Sequence, residues 1–330
     1  MSIFAQKLDP KMRETRVPFM HLFSDACERF GYKMLPRTFI TNRIQKEWRK
    51  LLKPLLLRKK KKQDYLIVPC NGDDILESIY PYYDYNIIPM LWDVWPYTWK
   101  KLYNDLNIIK PPLVFVTVRQ MAEKIQKDLG IPAYWIPEGF APNVCSIGPV
   151  LTEREIDVYE LGRWHSEYHN CIMSLVQATK MLSYKGDLKT KTGEIIKKAY
   201  HCSKDFYRGL SKTKIVICFP QNETNPKRAG NLETLTQRYW EAMLSRTLIV
   251  GRAPKELIDF IGYNPVVDVC WSNPACQLTN ILNNIASYQE LVDKNYSVAL
   301  QKAFWDNRLK MIGEYLSMHN IRSASKKSRE

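Results

Sequence analysis

The chain has 330 residues, 45% of them hydrophobic, a formal net charge of +15 and eight cysteines. That length and apolar content suffice for two cored domains and exclude a disordered chain. No apolar run approaches a membrane span, MSIFAQKLDPKMRE has no signal-peptide core, and the scattered cysteines form no C-x-x-C, so the expectation is a cytoplasmic protein without disulfides or structural zinc. The positive charge implies an anionic partner: nucleic acid, an anionic membrane surface or a phosphate-bearing substrate.

Taken in order, Phe19–Phe30 has helical spacing, with Phe23, Ala26, Cys27 and Phe30 on one face and Gly31 as its stop. Arg43–Leu57 is basic and amphipathic, is interrupted by Pro54, and runs into Arg58–Lys62. That run reads either as a solvated helix end or as a patch holding the protein against anionic lipid at about 1 kcal/mol per basic residue, peripheral to the inner face of the membrane. No clear strand precedes Tyr65, so residues 1–64 read as shortened or remodelled. Strands and helices then alternate: strands Tyr65–Pro69, Ile87–Leu91, Leu113–Thr117 and Ala133–Ile136, helices Asp74–Tyr80, Tyr97–Leu106 and Arg119–Leu129. Short connections in this pattern mean parallel βαβ units, whose ligands bind beyond the carboxyl ends of strands. The loops Asn71–Asp74, Trp92–Tyr97 and Pro137–Phe140 fall at that edge.

Phe140–Thr152 lacks periodicity and reads as a linker, dividing the chain into residues 1–145 and 146–330. The second alternation comprises strand Ile156–Leu161, helix His169–Leu182, a polar loop Lys185–Gly193, a helical stretch Glu194–Leu210, strand Lys214–Phe219 and a polar loop Pro220–Gly230. Short helix Pro254–Ile261, strand Pro265–Val269, closing helices Ala275–Leu291 and Asn295–Leu316 and a basic, serine-rich tail complete it.

The most informative stretch is Asn231–Gly251, NLETLTQRYWEAMLSRTLIVG. Leu235, Tyr239, Ala242 and Met243 form one helical face, Thr234 and Gln237 are spaced as a capping box, and Thr247–Val250 is a short strand ended by Gly251. Arg238, Glu241 and Ser245 share the other side, with Glu233 just ahead. A helix N-terminus suits a diphosphate. A carboxylate before it and another two turns in, roughly 9–12 Å further along the axis, match groups on either side of that diphosphate. The alternative is an i,i+3 surface pair of Arg238 with Glu241, worth a few tenths of a kcal/mol, and a solvated Glu233.

Other candidates carry similar pairs of readings. Arg163 follows a strand directly and suits bidentate phosphate binding, or is a solvated loop arginine. Lys227 and Arg228 sit at the sheet's carboxyl edge, or belong to the basic surface. Asp93, in Trp92-Asp93-Val94-Trp95-Pro96, either orients or deprotonates a hydroxyl or caps the following turn. Glu138 reads as hinge geometry. His165 and His169 stand at zinc-pair spacing without a third ligand nearby. P-loop, G-x-G-x-x-G and G-x-S-x-G motifs are absent, which removes the main support for kinase, dehydrogenase and α/β-hydrolase readings.

Glu233-x7-Glu241 followed by Ala242-Met243 resembles the E-x7-E motif of retaining GT-B glycosyltransferases. The run Thr236–Val269 resembles bacterial glycosyltransferase family 1-like proteins, including the spore-protein-like subgroup, with its R-Y-x-E-A-M, G-R-x-P-x-E-L and G-Y-N-P-V-V signatures. The resemblance is good over about Val158–Leu282, fair over Leu66–Pro142 and absent before Tyr65. It implies an α/β GT-B fold, two Rossmann-like domains with parallel sheets facing across a cleft, with the acceptor on the first and a nucleotide-sugar on the second.

The implied activity is hexosyl transfer (EC 2.4) from a UDP- or GDP-linked sugar to a glycan, lipid-linked or other acceptor. Retention and metal independence are implied, the latter in agreement with the absence of D-x-D, and no resident cofactor is expected. The resemblance puts Glu241 on the ribose, Glu233 on the transferred sugar and the Gly162-Arg163 loop on the diphosphate; Arg238, the Arg of R-Y-x-E, contributes to the donor site or braces Glu241, and Lys227 and Arg228 neutralise the leaving diphosphate or belong to the basic surface. Thr234 and Thr236 would replace amide contacts, because the family's glycine-rich run after the first Glu is missing here. Asn71, Gly72, Asp93 and Trp95 fall on the acceptor side. Two rival readings are a GT-B-fold binding or structural protein without transfer and, less favoured, a nucleic-acid-binding protein.

Overall fold

A computed structural model of the chain describes residues 2–8, 18–38, 47, 61–179, 182–190 and 195–321. The basic, amphipathic stretch Arg43–Leu57 apart from Glu47, all but the last two residues of Arg58–Lys62, and the tail beyond Ile321 lie outside them. The chain forms two compact units, Met1–Gly139 with Trp305–Glu330, and Phe140–Phe304. The sequence reading had kept residues 146–330 together.

The first unit is built on a six-stranded parallel sheet: β1 Ile3–Lys7, β2 Lys33–Pro36, β3 Tyr65–Asn71, β4 Asn86–Trp92, β5 Val114–Val116 and β6 Ala133–Trp135. Their order is β2-β1-β3-β4-β5-β6. β3 and β4 read as unbroken apolar runs because both of their faces are buried. β1 and β2 correct the expectation that no strand precedes Tyr65. β1 escapes a search for apolar runs because Gln6 interrupts it. Gln6 is fully buried, and its Nε2 donates to the Ser78 carbonyl at 2.7 Å.

The core of this unit is an aromatic knot. Phe23, Trp92 and Trp305 are almost wholly buried, with ring centroids 5.1–5.7 Å apart in edge-on and tilted arrangements. Trp305 opens the helix Trp305–Met318, whose Leu309, Ile312 and Leu316 join the same core. This packing is why the end of the chain belongs to the first unit. The expected continuous helix Asn295–Leu316 is broken at Ala303 and Phe304: Ala303 O accepts the Phe140 N–H at 2.8 Å, and Phe304 bridges to Phe140.

The second unit has strands β7 Ile156–Glu160, β8 Tyr184–Gly186, β9 Leu188–Lys189, β10 Ile195–Lys197, β11 Thr213–Cys218, β12 Leu248–Gly251 and β13 Val267–Asp268. Five of them make a parallel sheet in the order β13-β12-β11-β7-β8, while β9 and β10 pair antiparallel by themselves. Two expectations are corrected here. The described part of the Lys185–Gly193 loop contains strand residues, and within the expected helical stretch Glu194–Leu210 the described residues form the strand Ile195–Lys197 followed by the helix Ser203–Ser211. Likewise Pro220–Gly230 holds two short helices, Gln221–Thr224 and Pro226–Ala229, rather than open loop.

Arg154, 4% exposed, ties this unit together. Its guanidinium donates to the carbonyls of Pro149, Thr213 and Arg246 and to Thr247 Oγ1, at 2.5–3.0 Å. That joins the start of the unit to β11 and to the end of the helix Gln237–Leu244.

In each sheet the chain reverses the direction of strand addition once, between β1 and β3 and between β7 and β11. The carboxyl ends of those strands are where such sheets open a binding crevice. We expect Trp305→Ala, which empties the middle of the aromatic knot, to cost about 3–5 kcal/mol in urea unfolding followed by near-UV circular dichroism.

Candidate functional site

At the second switch point β7 ends in Glu160, Leu161, Gly162 and Arg163, and β11 ends in Cys218 and Phe219. Arg238, in the first turn of the helix Gln237–Leu244, spans both ends. Its Nη1 donates to Leu161 O at 2.9 Å and its Nη2 to Phe219 O at 3.2 Å. Gly162 turns beneath it at φ +77°, where a Cβ would meet Arg238 Cδ at 3.2 Å. Arg163 leaves the same turn and donates from Nε to Thr224 Oγ1 at 3.2 Å.

The helix has Thr236, not Thr234, as its N-cap, and no side chain closes a capping box. The Leu235 N–H goes instead to Glu256 Oε2 at 2.9 Å. Thr234 is buried, and the buried Thr236 hydroxyl has no hydrogen-bond partner among the described residues. Glu241 lies one turn beyond Arg238. Tyr207, on the helix Ser203–Ser211, donates its hydroxyl to Glu241 Oε1 at 3.2 Å. Burial raises the Glu241 carboxyl to about 7, against the opposing pull of Tyr207 and Arg238.

Glu233 has the opposite balance. Burial works to raise its affinity for a proton, but Arg252 at 2.7 Å, the Lys255 N–H at 2.9 Å and Asn222 together hold it below the usual carboxylate range. Arg252 also pairs with Glu223. Lys227 and Arg228 are exposed on their short helix.

The two histidines do not converge. His169 donates or accepts at Nδ1 with the buried Glu160 at 2.5 Å and stacks on Trp164 at 3.7 Å, while His165 packs between Phe219 and Trp271. Among the described residues no three His, Cys, Asp or Glu side chains group as metal ligands.

The structure thus brings Gly162, Arg163, Arg238, Thr236 and Glu241 to one edge. Three neighbours escaped sequence reasoning. Arg252 stands inside the G-R-x-P signature, so the signal was present. Tyr207 carries no local signal, and Lys189 lies in a run of lysines and threonines that reads as loop. Lys189 donates to Gly162 O and lies 4.4 Å from the Trp164 ring centre.

In the first unit the ends of β3 and β4 gather a second set. Gly72 donates its N–H to Trp92 O at 3.1 Å, and a Cβ there would lie 3.0 Å from Thr98 Oγ1. Asp93 is exposed at φ +47°, a left-handed conformation uncommon for a residue with a side chain. Its Oδ1 accepts the indole N–H of buried Trp95 at 3.2 Å. Asn71 donates its backbone N–H to Asp74 Oδ1 at 2.8 Å, and its own side-chain oxygen is buried with no partner among the described residues. Lys61 and Lys62, the described end of the basic run, bind the Tyr83–Tyr85 turn: Lys61 donates to the Tyr83 carbonyl at 2.9 Å and Lys62 pairs with Asp84 at 3.0 Å.

Two parallel doubly wound sheets, each with a polar set at its switch point, define the α/β GT-B fold, and comparison with solved structures agrees. HepE from Anabaena, solved with UDP-glucose, aligns with a TM-score of 0.58 at 10% identity, over 96% of this chain and 100% of that one. The sucrose-phosphate synthase of Thermosynechococcus elongatus aligns at 0.58 and 11% identity, over 98% and 100%. TarM aligns at 0.56 and 15% identity over 82% of this chain and 57% of that one, so the match spans a little over half the length of TarM. No family model and no curated protein sequence matches the chain. No helix among the described residues is long and apolar enough to cross a membrane.

The raised Glu241 carboxyl has a consequence for stability. Relative to an ordinary glutamate at 4.5, a folded value of about 7 contributes stability that is complete below the ordinary value and lost as pH rises through about 7. Between about pH 5 and pH 8, wild type should therefore lose about 2–3 kcal/mol relative to Glu241→Gln, measured as paired urea unfolding curves.

Proposed function

We propose that the chain is a glycosyltransferase that moves a sugar from a nucleoside-diphosphate sugar to an acceptor hydroxyl. The observation that carries this is the Arg238 bridge across the β7 and β11 carbonyls, with Glu241 one turn along the same helix. A cation at the helix start and a carboxylate one turn further match a diphosphate followed by a ribose diol. Arg163, Arg238, Gly162 and the Thr236 hydroxyl bind the diphosphate, with Thr234, Lys227 and Arg228 around it, and Glu241 accepts the ribose hydroxyls. Helix dipole and guanidinium groups stabilise the departing diphosphate without a metal ion.

HepE solved with UDP-glucose, and TarM solved with UDP, support a uridine donor, with GDP-sugars as the other candidate class. Glu233 serves the transferred sugar through the Arg252–Lys255 cradle. Asn71, Gly72, Asp93 and Trp95 of the first unit receive the glycan or lipid-linked acceptor, with Asp93 orienting its hydroxyl. The reaction is hexosyl transfer with retention at the anomeric carbon, and the protein works in the cytoplasm.

Calorimetry with UDP, GDP and their sugars tests the reading. One nucleotide should bind saturably, and Glu241→Ala should weaken it at least about tenfold. Glu233→Gln should keep nucleotide affinity within about threefold yet lose sugar transfer, read as UDP or GDP release with acceptor present. A folded wild-type chain that binds none of these nucleotides would end the donor assignment.

A further inference from the structure

We infer that Lys189 is a third cation of the anion site, meeting the donor diphosphate together with Arg163 and Arg238. The inference rests on the donor reading above and adds to it a residue from an edge of the sheet that the Asn231–Gly251 stretch does not touch.

The placement is made by pairing. β8 joins β7 in parallel, with Val158 opposite Tyr184 and Glu160 opposite Gly186, and the chain then turns at Asp187 into β9. This carries Lys189 back to the turn that follows β7. Its ammonium donates to Gly162 O and lies 4.4 Å from the centre of the Trp164 ring. Arg238 holds the preceding carbonyl, Leu161 O, at 2.9 Å. Two successive carbonyls of one turn are thus held by two cations from separate elements, and Arg163 projects from the next residue.

Among the described residues no carboxylate pairs with Lys189. Asp187 and Glu160 act on it only through space: Asp187 Oδ1 accepts the Ala199 N–H at 2.8 Å, while Glu160 is held by His169 at 2.5 Å and Tyr184 at 2.7 Å. Burial pushes the lysine's affinity for its proton down; Asp187 and Glu160 raise it, and Arg238 and Arg163 lower it by less. Three cations around one glycine turn are stabilised by a polyvalent anion. The Lys189 ammonium has three donors and gives a carbonyl only one, which leaves it able to engage phosphate oxygens.

The test is calorimetry on the full chain with UDP and with inorganic pyrophosphate, for wild type, Lys189→Ala and Lys189→Arg, with thermal melting to establish folding of each. We expect Lys189→Ala to bind both ligands about tenfold more weakly and Lys189→Arg to stay within about threefold of wild type. Unchanged UDP affinity in Lys189→Ala, or an equal loss in Lys189→Arg, overturns the role of the lysine and leaves the donor site standing. A wild-type chain that binds neither ligand overturns both.

Discussion

A parallel sheet ends in carbonyl groups that no further strand can satisfy, and the gap is widest where the direction of strand addition reverses. In the second unit one guanidinium closes that gap, taking Leu161 O and Phe219 O on its two nitrogens. A planar fork with fixed geometry can do this where a lysine could not. Much of the edge follows from it. The turn beneath must be glycine, the next carbonyl is left for a second cation, and the helix that bears the arginine is fixed in register, which sets where Glu241 stands. The same group that completes the fold also places a positive charge at its rim.

The two glutamates of the E-x7-E spacing are driven apart by their surroundings. Glu233 is kept ionised by an arginine, an amide N–H and an asparagine side chain, whereas Glu241 faces one phenol at hydrogen-bond distance and is otherwise desolvated. One carboxylate is thus held in its charged form by its partners, and the other accepts charge only when a ligand or solvent compensates for its burial. A diol placed against Glu241 would supply that compensation through its hydroxyl donors.

Legibility in the sequence follows how local each determinant is. β3, β4, β11 and β12 are continuous apolar runs and could be read directly, as could the helix Arg119–Leu129, whose bounds match. β1 was hidden by one buried glutamine whose partner, Ser78, lies 72 residues away. The helix cap shifted from Thr234 to Thr236 because Glu256, distant in sequence, took the Leu235 N–H. Arg238 and Glu241 were visible as a helical spacing, but that Arg238 binds two strand ends was not, because those carbonyls come from separate loops. Tyr207 and Lys189 carry no local pattern, and only the sheet order brings them to the edge.

The aromatic knot also has a temporal side. Phe23 and Trp92 meet Trp305 in one core, yet the whole Phe140–Phe304 unit lies between Trp92 and Trp305 in the chain. During synthesis the second unit has all of its residues before the first has its last core side chains. The half that is made first therefore receives its last core residues second, and until the helix from Trp305 is made Phe23 and Trp92 lack the ring that packs against both.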